Sequence, residues 1–254
     1  MAILSFELRE YFHLSFLYHL SMRLAGRPYA LKGGVCLRFF HRSPRLSEDM
    51  DLDVSSNIRQ QTLENVVDSI IKTRSFLNPL MAKGVKDIAA RKPKQTETTQ
   101  RWKFTLNFDQ IALPTKIEFS RRRSAVSSSS GVPDPELLTH YNLHPFAACY
   151  YDATNICGQK ILALASPARN ALRDLYDLDL LLSSRRVDLK SIKKSIAADS
   201  IENAAVKAEI FRHQDFKEQV LPFLSESLMS LYANRAAFDG LKERLENTFL
   251  ELMS

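Results

Sequence analysis

Three aspartates occupy alternate positions of a short apolar run and are the residues best suited to chemistry. Asp49, Asp51 and Asp53 are separated by single apolar residues over 49–54. Because side chains at i and i+2 of a strand point to the same side, these carboxylates should share one face. Adjacent carboxylates repel and need a cation, and Mg²⁺ is the natural one because substrate phosphates complete its oxygen shell. The alternative is an edge strand whose charged face meets solvent.

A glycine pair stands upstream of this strand and supplies a second chemical element. Gly33 and Gly34 lie between a short apolar run and a stretch of helical spacing. Glycines let a backbone approach a ligand closely, and the N–H groups at the start of a helix favour a phosphate. Ser47 adds a hydroxyl close to the aspartates. The order strand, glycine pair, helix, loop and alternating aspartates therefore predicts a phosphate cradle beside a metal site.

The elements that must position these residues follow from hydrophobic periodicity and from breakers. The pattern predicts helices over Phe6–Leu24 (ending at Gly26), Val35–His41 and Gln60–Leu77. It predicts strands over Tyr29–Leu31 and Asp49–Val54. Two alternating runs, Trp102–Phe108 and Thr115–Phe119, predict a hairpin across 109–114. A basic, serine-rich segment over 121–130 should loop out, and the pattern is helical from Pro135 onward.

These elements predict an α+β fold with two domains. Residues 1–130 should form a mixed sheet with flanking helices. Residues 131–254 should form a helical bundle that completes the active-site cleft. The division rests on a change from mixed to wholly helical patterning, which falls near residues 124–134.

The order of the motifs resembles the DNA-polymerase-beta-like nucleotidyltransferases. The longer wording LKGGVCLRFF…RLSEDMDLD resembles the AbiEii/AbiGii abortive-infection toxin branch of that superfamily. Six residues match the positions that this branch uses around its phosphate and metal sites: Gly33, Gly34, Arg45, Ser47, Asp49 and Asp51. The resemblance therefore implies that the glycine pair and Ser47 bind a nucleotide.

The resemblance also implies a third carboxylate on a neighbouring strand. Glu118 lies between two apolar residues of the second hairpin strand, so its side chain should emerge on the face opposite the core. The alternative for Glu118 is a surface glutamate paired with Lys116 or Arg121. Asp109 is a rival for the third position, but it lies in a turn. Asp53 is then left as a spare surface carboxylate or a supporting group.

A helical motif over 159–182 extends the resemblance. The branch carries a lysine on one helix, followed by an arginine and by Arg-Asp-x-x-Asp-Leu, and this chain matches with Lys160, Arg169, Arg173, Asp174 and Asp177. Lys160 would hold triphosphate oxygens as a compact charge. Asp174 would orient that lysine or meet the base or acceptor, and Arg173 and Asp177 would bind the nucleotide. The alternative is a salt-bridged helix surface.

The activity that the resemblance implies is transfer of a nucleoside monophosphate from an NTP to an acceptor hydroxyl. Asp49, Asp51 and Glu118 would hold Mg²⁺, or Mn²⁺, and pyrophosphate would leave. Such a protein would be the toxin of a toxin–antitoxin or abortive-infection pair, acting on tRNA or another RNA and opposed by a cognate antitoxin. Two alternatives stay open: a nucleotidyltransferase that modifies a small molecule such as an antibiotic, and a nucleotide-binding regulator without turnover.

Charge patterning bears on the acceptor. The net charge is +6, which favours an anionic partner without naming one. Basic residues cluster over 83–103 and 121–123, and Arg91, Lys92 and Lys94 stand together in the first of these segments. A phosphate backbone would suit both segments. The alternative for a charge run is a solvated loop.

Cysteine usage and hydropathy bear on the compartment. The three cysteines form no Cys-x-x-Cys pair, which argues against a disulfide framework or a zinc site and favours a reducing cytoplasm. The first residues place Glu7 and Glu10 where a signal peptide has a basic and then an apolar segment. No run approaches the length of a membrane span. We therefore predict a cytoplasmic location and no membrane partner.

Overall fold

The computed structural model describes residues 2–25, 29–122, 126–169 and 172–254. The chain divides into two compact units. The first unit contains Met1–Arg42 and Leu46–Tyr151, and the second contains Ser43–Arg45 and Asp152–Ser254. The predicted Gly26 helix end lies outside the described residues.

The first unit contains all the strands of the described chain and five of its helices. The strands are β1 Tyr29–Lys32, β2 Asp49–Val54, β3 Val85–Gln95, β4 Thr99–Phe108, β5 Ile111–Ser120, β6 Ser129–Gly131 and β7 Ala148–Tyr150. The helices are α1 Ala2–Arg23, α2 Gly33–Phe40, α3 Gln60–Lys72, α4 Arg74–Ala82 and α5 Pro135–His140.

Within the described residues the strands form one mixed sheet in the order β3-β4-β5-β2-β1-β7-β6. The central strand β2 pairs antiparallel with β1 and parallel with β5. The hairpin strands β4 and β5 are antiparallel, and β3 pairs antiparallel with β4 at one edge. This topology places the aspartate strand in the interior of the sheet, with the predicted third carboxylate on the strand beside it.

One face of the sheet is buried under helices. Phe12 of α1 contacts Phe104 of β4 and Phe76 of α4, with ring centroids 5.1 Å and 5.5 Å apart. Met50 and Leu52 of β2 are wholly buried. Because neighbouring residues of a strand point to opposite faces, Asp49 and Asp51, which alternate with these apolar residues, lie on the other face. The core side of the aspartate strand is therefore as the alternation predicts.

Several element boundaries differ from the sequence-based predictions. The predicted helix over Gln60–Leu77 is two helices, because Thr73 has an extended backbone between α3 and α4. The hairpin turn is tighter than predicted, since Phe108 pairs with Ile111 and Asp109 takes a positive φ of 56°. β7 and β6 extend the sheet beyond the predicted limit at residue 130, so the first compact unit continues to Tyr151.

The basic segment before the hairpin is a strand and not a loop. β3 spans Val85–Gln95 and pairs with β4 through most of its length. Val85 is its one fully buried residue, and most of the others are exposed. An edge strand of this kind carries charge on both faces, which protects its unpaired side from other chains. The missing hydrophobic alternation explains why the sequence pattern did not predict it.

The second unit is helical throughout its described residues. Its helices are α6 Ala153–Ala165, α7 Leu172–Ser183, α8 Leu189–Ser195, α9 Ala198–Ile210, α10 His213–Gln219, α11 Glu226–Ala233 and α12 Arg235–Met253, with a 3₁₀ turn at Leu221–Phe223. Leu175, Leu178 and Leu181 form the wholly buried stripe of α7. Within the described chain, no helix is both long and apolar enough to cross a membrane. The predicted α+β fold with a helical C-terminal region is confirmed.

Candidate active site

The register of β2 against β5 brings three predicted site carboxylates onto neighbouring positions of one face. Asp51 of β2 lies directly beside Glu118 of β5. Asp49 lies two residues before Asp51 on the same strand and beside Lys116. The parallel pairing therefore gathers Asp49, Asp51 and Glu118, although Glu118 follows the aspartates by more than sixty residues in the chain.

Basic side chains from the hairpin compensate two of these carboxylates. The Lys116 Nζ lies 3.3 Å from Asp49 Oδ2. Arg101 of β4 donates from Nε to Glu118 Oε2 at 2.6 Å. Glu118 thus has a different partner from the Lys116 or Arg121 that sequence considerations offered, while Arg121 donates to the Ile58 carbonyl. Charge pairing across the sheet holds the carboxylate group together without placing it in the core.

The glycine turn packs directly against the Asp51 carboxylate. Burial raises the pKa of Asp51 above its ordinary value, although Lys116 and Lys32 act to lower it. Gly33 has a positive φ of 71°, and a Cβ built there would lie 3.3 Å from Asp51 Oδ2. A side chain at this position would therefore be strained and would crowd the carboxylate. The structure thus places the glycine turn next to an aspartate of β2, as the sequence predicted.

The N-terminus of α2 follows this turn at once. α2 begins at Gly33, and Gly34 is its second residue. The first N–H groups of a helix have no partner within the helix, so they are available to an anion. Ser47 donates its hydroxyl to the Asp49 carbonyl at 3.3 Å. The phosphate contacts predicted for Gly33, Gly34 and Ser47 stay predictions.

Asp53 is a buried residue and not a spare surface carboxylate. Its side chain is 1% exposed and forms an ion pair with Lys32. The Tyr151 hydroxyl donates to its other oxygen at 2.8 Å. Because both oxygens are engaged, Asp53 joins β1 and the segment after β7 to the aspartate strand. The sequence left both a spare surface carboxylate and a supporting group open, because the alternating pattern alone cannot show which of three aspartates is covered by a neighbouring side chain.

The carboxylates suit a divalent cation that shares its shell with a substrate. Among the described residues, no group of three or more His, Cys, Asp or Glu side chains is gathered closely enough to hold a metal ion alone. Mg²⁺ is commonly bound by one or two carboxylates, with water and substrate phosphates completing six positions. Asp49 and Asp51 on one face, next to a helix N-terminus, match that need. The residues therefore fit Mg²⁺ bound together with a triphosphate.

The predicted helical motif forms a separate buried ionic cluster within the second unit. Lys160 of α6 donates to Asp174 at 2.7 Å and to Asp177 at 2.6 Å, both on α7. Arg45 donates to both oxygens of Asp177 at 2.8 Å. Arg169 lies 3.5 Å from Asp174. Four of these side chains, those of Arg45, Lys160, Asp174 and Asp177, are buried.

Electrostatics keep this cluster charged despite its burial. Burial acts to lower the pKa of Lys160, but the Asp177 and Asp174 carboxylates outweigh it, and the pKa is raised. Burial acts to raise the pKa of Asp177, but Arg45 and Lys160 outweigh it and hold the pKa at about 2. A buried ion pair persists only with such mutual compensation and close hydrogen bonds. The cluster is thus a packed unit, in contrast to a solvated helix surface.

The roles predicted for these residues towards a nucleotide stay predictions. Asp177 is wholly buried with both oxygens engaged by Arg45 and Lys160. Arg173 donates to the Gln219 carbonyl and lies over the Phe223 ring. Arg45 matched the family motif, but the sequence did not show that its partner would be Asp177, 132 residues later.

The comparisons with known proteins agree with this geometry. The structure pairs the Asp-x-Asp strand with a carboxylate strand next to a glycine turn at a helix start, which is the arrangement that the sequence resemblance predicted. The family model described as nucleotidyl transferase AbiEii toxin, type IV toxin–antitoxin system, matches residues 15–247. The chain belongs to the AbiEii family. The predicted family is therefore confirmed.

Two solved structures share the fold. JHP933 from Helicobacter pylori is 16% identical with a TM-score of 0.50, and the match covers 96% of this chain and 90% of that chain. A protein from H. pylori described as a candidate nucleotidyltransferase is also 16% identical with a TM-score of 0.50, covering 95% and 93%. At this identity the likeness shows the fold alone. No match to the sequence is found among curated proteins.

The glycine turn yields a first prediction. Gly33→Ala should destabilise the chain by about 1–2 kcal/mol, the cost of a left-handed backbone for a residue with a Cβ, and should weaken binding of a nucleoside triphosphate. Gly34→Ala is the matched control for stability only, because Gly34 is helical and alanine favours a helix, whereas both glycines belong to the proposed phosphate cradle. Urea unfolding and nucleotide titration of both variants measure the two effects. Equal stability of the two variants would contradict the strained turn.

The buried cluster yields a second prediction. The Asp177 carboxyl has a pKa held at about 2 against an ordinary 3.8, so its stabilisation is complete above pH 4 and is lost as the pH falls towards 2. Asp177→Asn should lower the free energy of unfolding by about 3–5 kcal/mol at neutral pH, because it removes a carboxylate that compensates the buried Arg45 and Lys160 cations. The variant should also lose less stability than the wild type between pH 4 and pH 2.

The control for that substitution is Asp199→Asn, which removes an exposed aspartate from α9. It should change the free energy of unfolding by no more than about 0.5 kcal/mol. Urea unfolding at a series of pH values reports both variants. An Asp177→Asn variant that matched the wild type at every pH would show that the cluster adds no stability.

Proposed function

We propose that this chain transfers a nucleoside monophosphate from an NTP to an acceptor hydroxyl, and that the acceptor is an RNA such as tRNA. The observation that carries the proposal is the single-face grouping of Asp49, Asp51 and Glu118, with Gly33 packed on Asp51. The alternative for these carboxylates was an edge strand with a solvated charged face. It does not apply, because β2 lies inside the sheet.

Each side chain has a part in this proposal. Asp49 and Asp51 would hold Mg²⁺ or Mn²⁺, with Glu118 beside Asp51 on the next strand. The bound cation would neutralise phosphate charge and acidify the acceptor hydroxyl. Lys116 and Arg101, which now face Asp49 and Glu118, would then be available to phosphate oxygens. With the cation bound, the site could accept a polyanion that the carboxylates alone would repel.

The glycine turn would position the triphosphate. Backbone N–H groups at the start of α2 approach without an intervening side chain, since Gly33 and Gly34 have none. The hydroxyl oxygen of the acceptor attacks the α-phosphorus, and the bond between that phosphorus and the oxygen leading to the β-phosphate breaks. Glu118 takes the hydroxyl proton, and pyrophosphate leaves. Positioning and charge supply most of the rate in such transfers.

Family membership supports the biological part of the proposal. AbiEii proteins are described as toxins of type IV toxin–antitoxin systems. We infer a toxin that acts in the cell that makes it and is opposed by a cognate antitoxin. RNA as acceptor is supported by the excess of basic residues and by the charge on the exposed face of the sheet.

Label transfer tests this function. Purified chain with Mg²⁺, bulk tRNA and each of the four NTPs labelled at the α-phosphate should move label onto RNA, and Asp51→Asn should lower the rate by at least about 100-fold, as expected when charge stabilisation at the reacting phosphate is removed. Asp199→Asn is the control and should keep the wild-type rate. Wild-type chain that binds an NTP but labels no RNA would contradict the proposal.

The same experiment distinguishes an RNA acceptor from a small-molecule acceptor. Replacing tRNA with a panel of hydroxyl-bearing antibiotics should yield no labelled product. Label on an antibiotic, with none on RNA, would favour the alternative nucleotidyltransferase that the sequence left open.

A further inference from the structure

A groove lies on the exposed face of the hairpin side of the sheet and ends at the candidate active site. It encloses about 620 Å³ and is lined by β3, β4, β5 and the start of β2. Four of its lining side chains are basic, namely those of Arg91, Arg101, Lys103 and Lys116. Asp49 lines the groove together with them. The groove therefore combines a large basic surface with one of the proposed metal ligands.

The basic residues stand in one row that crosses the strands. Arg91 of β3 is directly opposite Lys103 of β4, and Lys103 is directly opposite Lys116 of β5. Lys116 in turn lies beside Asp49 of β2. Residues opposite one another on neighbouring strands share a face, so the row runs from the edge of the sheet to the carboxylates. Three strand spacings make it about 14 Å long.

The row carries positive charge that the protein does not neutralise. Lys116 faces Asp49, and Arg101 faces Glu118. Arg91 and Lys103 are both exposed and form no ion pair among the described residues. Like charges directly opposite each other destabilise a sheet, so this arrangement has a cost. A ligand with several negative charges along its length would remove that cost.

The neighbouring residue Lys92 shows the contrast within the same strand. Its Nζ lies 2.7 Å from Glu64 and 2.6 Å from Asp68, both on α3. Lys92 therefore points to the helix-covered face and is neutralised there. The basic segment of the sequence thus divides into residues with protein partners and residues that face the groove.

We propose that this groove binds the phosphodiester backbone of the RNA acceptor, with Arg91 and Lys103 as its principal contacts. The length of the row exceeds that of a single phosphate, which favours a polymer. Its inner end at Asp49 places a bound backbone next to the site where an acceptor hydroxyl must react. The inference rests on the proposed function for the identity of the polymer, and it adds the surface that binds it.

The test compares two double variants with the same loss of charge. Arg91→Ala/Lys103→Ala removes the groove contacts. Lys86→Ala/Lys92→Ala removes two charges from the same strand, one bonded to the Asp109 carbonyl and the other paired on the helix-covered face. Fluorescence anisotropy with labelled bulk tRNA, in the absence of NTP, gives the affinity of each protein between about 50 and 200 mM salt.

The groove variant should bind tRNA more weakly than the wild type at low salt. Its slope of log affinity against log salt should be shallower by about 1.5, because two phosphate contacts each release roughly 0.7–0.9 of a counterion. The control variant should keep the wild-type slope. Both variants should melt within a few degrees of the wild type and should bind an NTP with unchanged affinity.

Three results would overturn the groove: equal slopes in the groove variant and the wild type, equal losses in both double variants, and a wild-type chain that does not bind tRNA. Failure of the proposed reaction is distinguishable. A wild type that labels no RNA, but whose tRNA binding depends selectively on Arg91 and Lys103, would refute the transfer reaction and keep the groove. Label transfer that is equally fast in the groove variant would keep the reaction and refute the groove.

Discussion

Carboxylates crowded on one face of an interior strand must obtain positive charge from their neighbours, and the first unit of this protein is organised around that constraint. The parallel pairing of β2 with β5 sets Asp51 beside Glu118 and Asp49 beside Lys116. The hairpin then supplies Arg101 to Glu118, and β1 supplies Lys32 to Asp53. Lysine and arginine side chains from the neighbouring strands therefore compensate these carboxylates.

The two kinds of charge cluster in the chain differ in burial. In the first unit, Asp49 keeps 45% of its side chain exposed and Lys116 keeps 27%, so these charges can exchange partners with a ligand at modest cost. In the second unit, Arg45 and Asp177 keep 3% and 0%, and breaking such a pair leaves an uncompensated buried charge. Exchangeable pairs suit a site that binds polyanions, whereas the buried pairs suit a fixed framework.

The sequence predicted those features that depend on local pattern. Alternation over Asp49–Val54 gave the strand and its two faces, and the glycine pair gave the start of α2, because both signals lie within a few residues. The position of Glu118 followed from the same alternation together with the family resemblance. Strand β3 was missed because an edge strand rich in lysine and arginine lacks a buried side.

The sequence did not predict which side chains would pair when they lie far apart in the chain, and the reason is physical. Which cation meets Glu118 depends on the register of the hairpin: Arg101 of β4 lies directly opposite Glu118, whereas Arg121 lies beyond the end of β5. Asp53 is distinguished from Asp49 and Asp51 by its ion pair with Lys32 and by the hydroxyl of Tyr151, which lies at the end of the first unit. The basic row likewise exists only because Arg91, Lys103 and Lys116 come into register across three strands.

In the function proposed above, Asp49 and Asp51 hold a divalent cation together with a nucleotide. Calorimetric titration of a non-hydrolysable NTP analogue into wild-type chain and Asp51→Asn, each in Mg²⁺ and in EDTA, tests it most directly. Wild type should bind much more tightly in Mg²⁺ than in EDTA, and Asp51→Asn should lose most of this difference. Equal wild-type affinity in the two conditions would show that the aspartates do not bind the nucleotide through a metal ion.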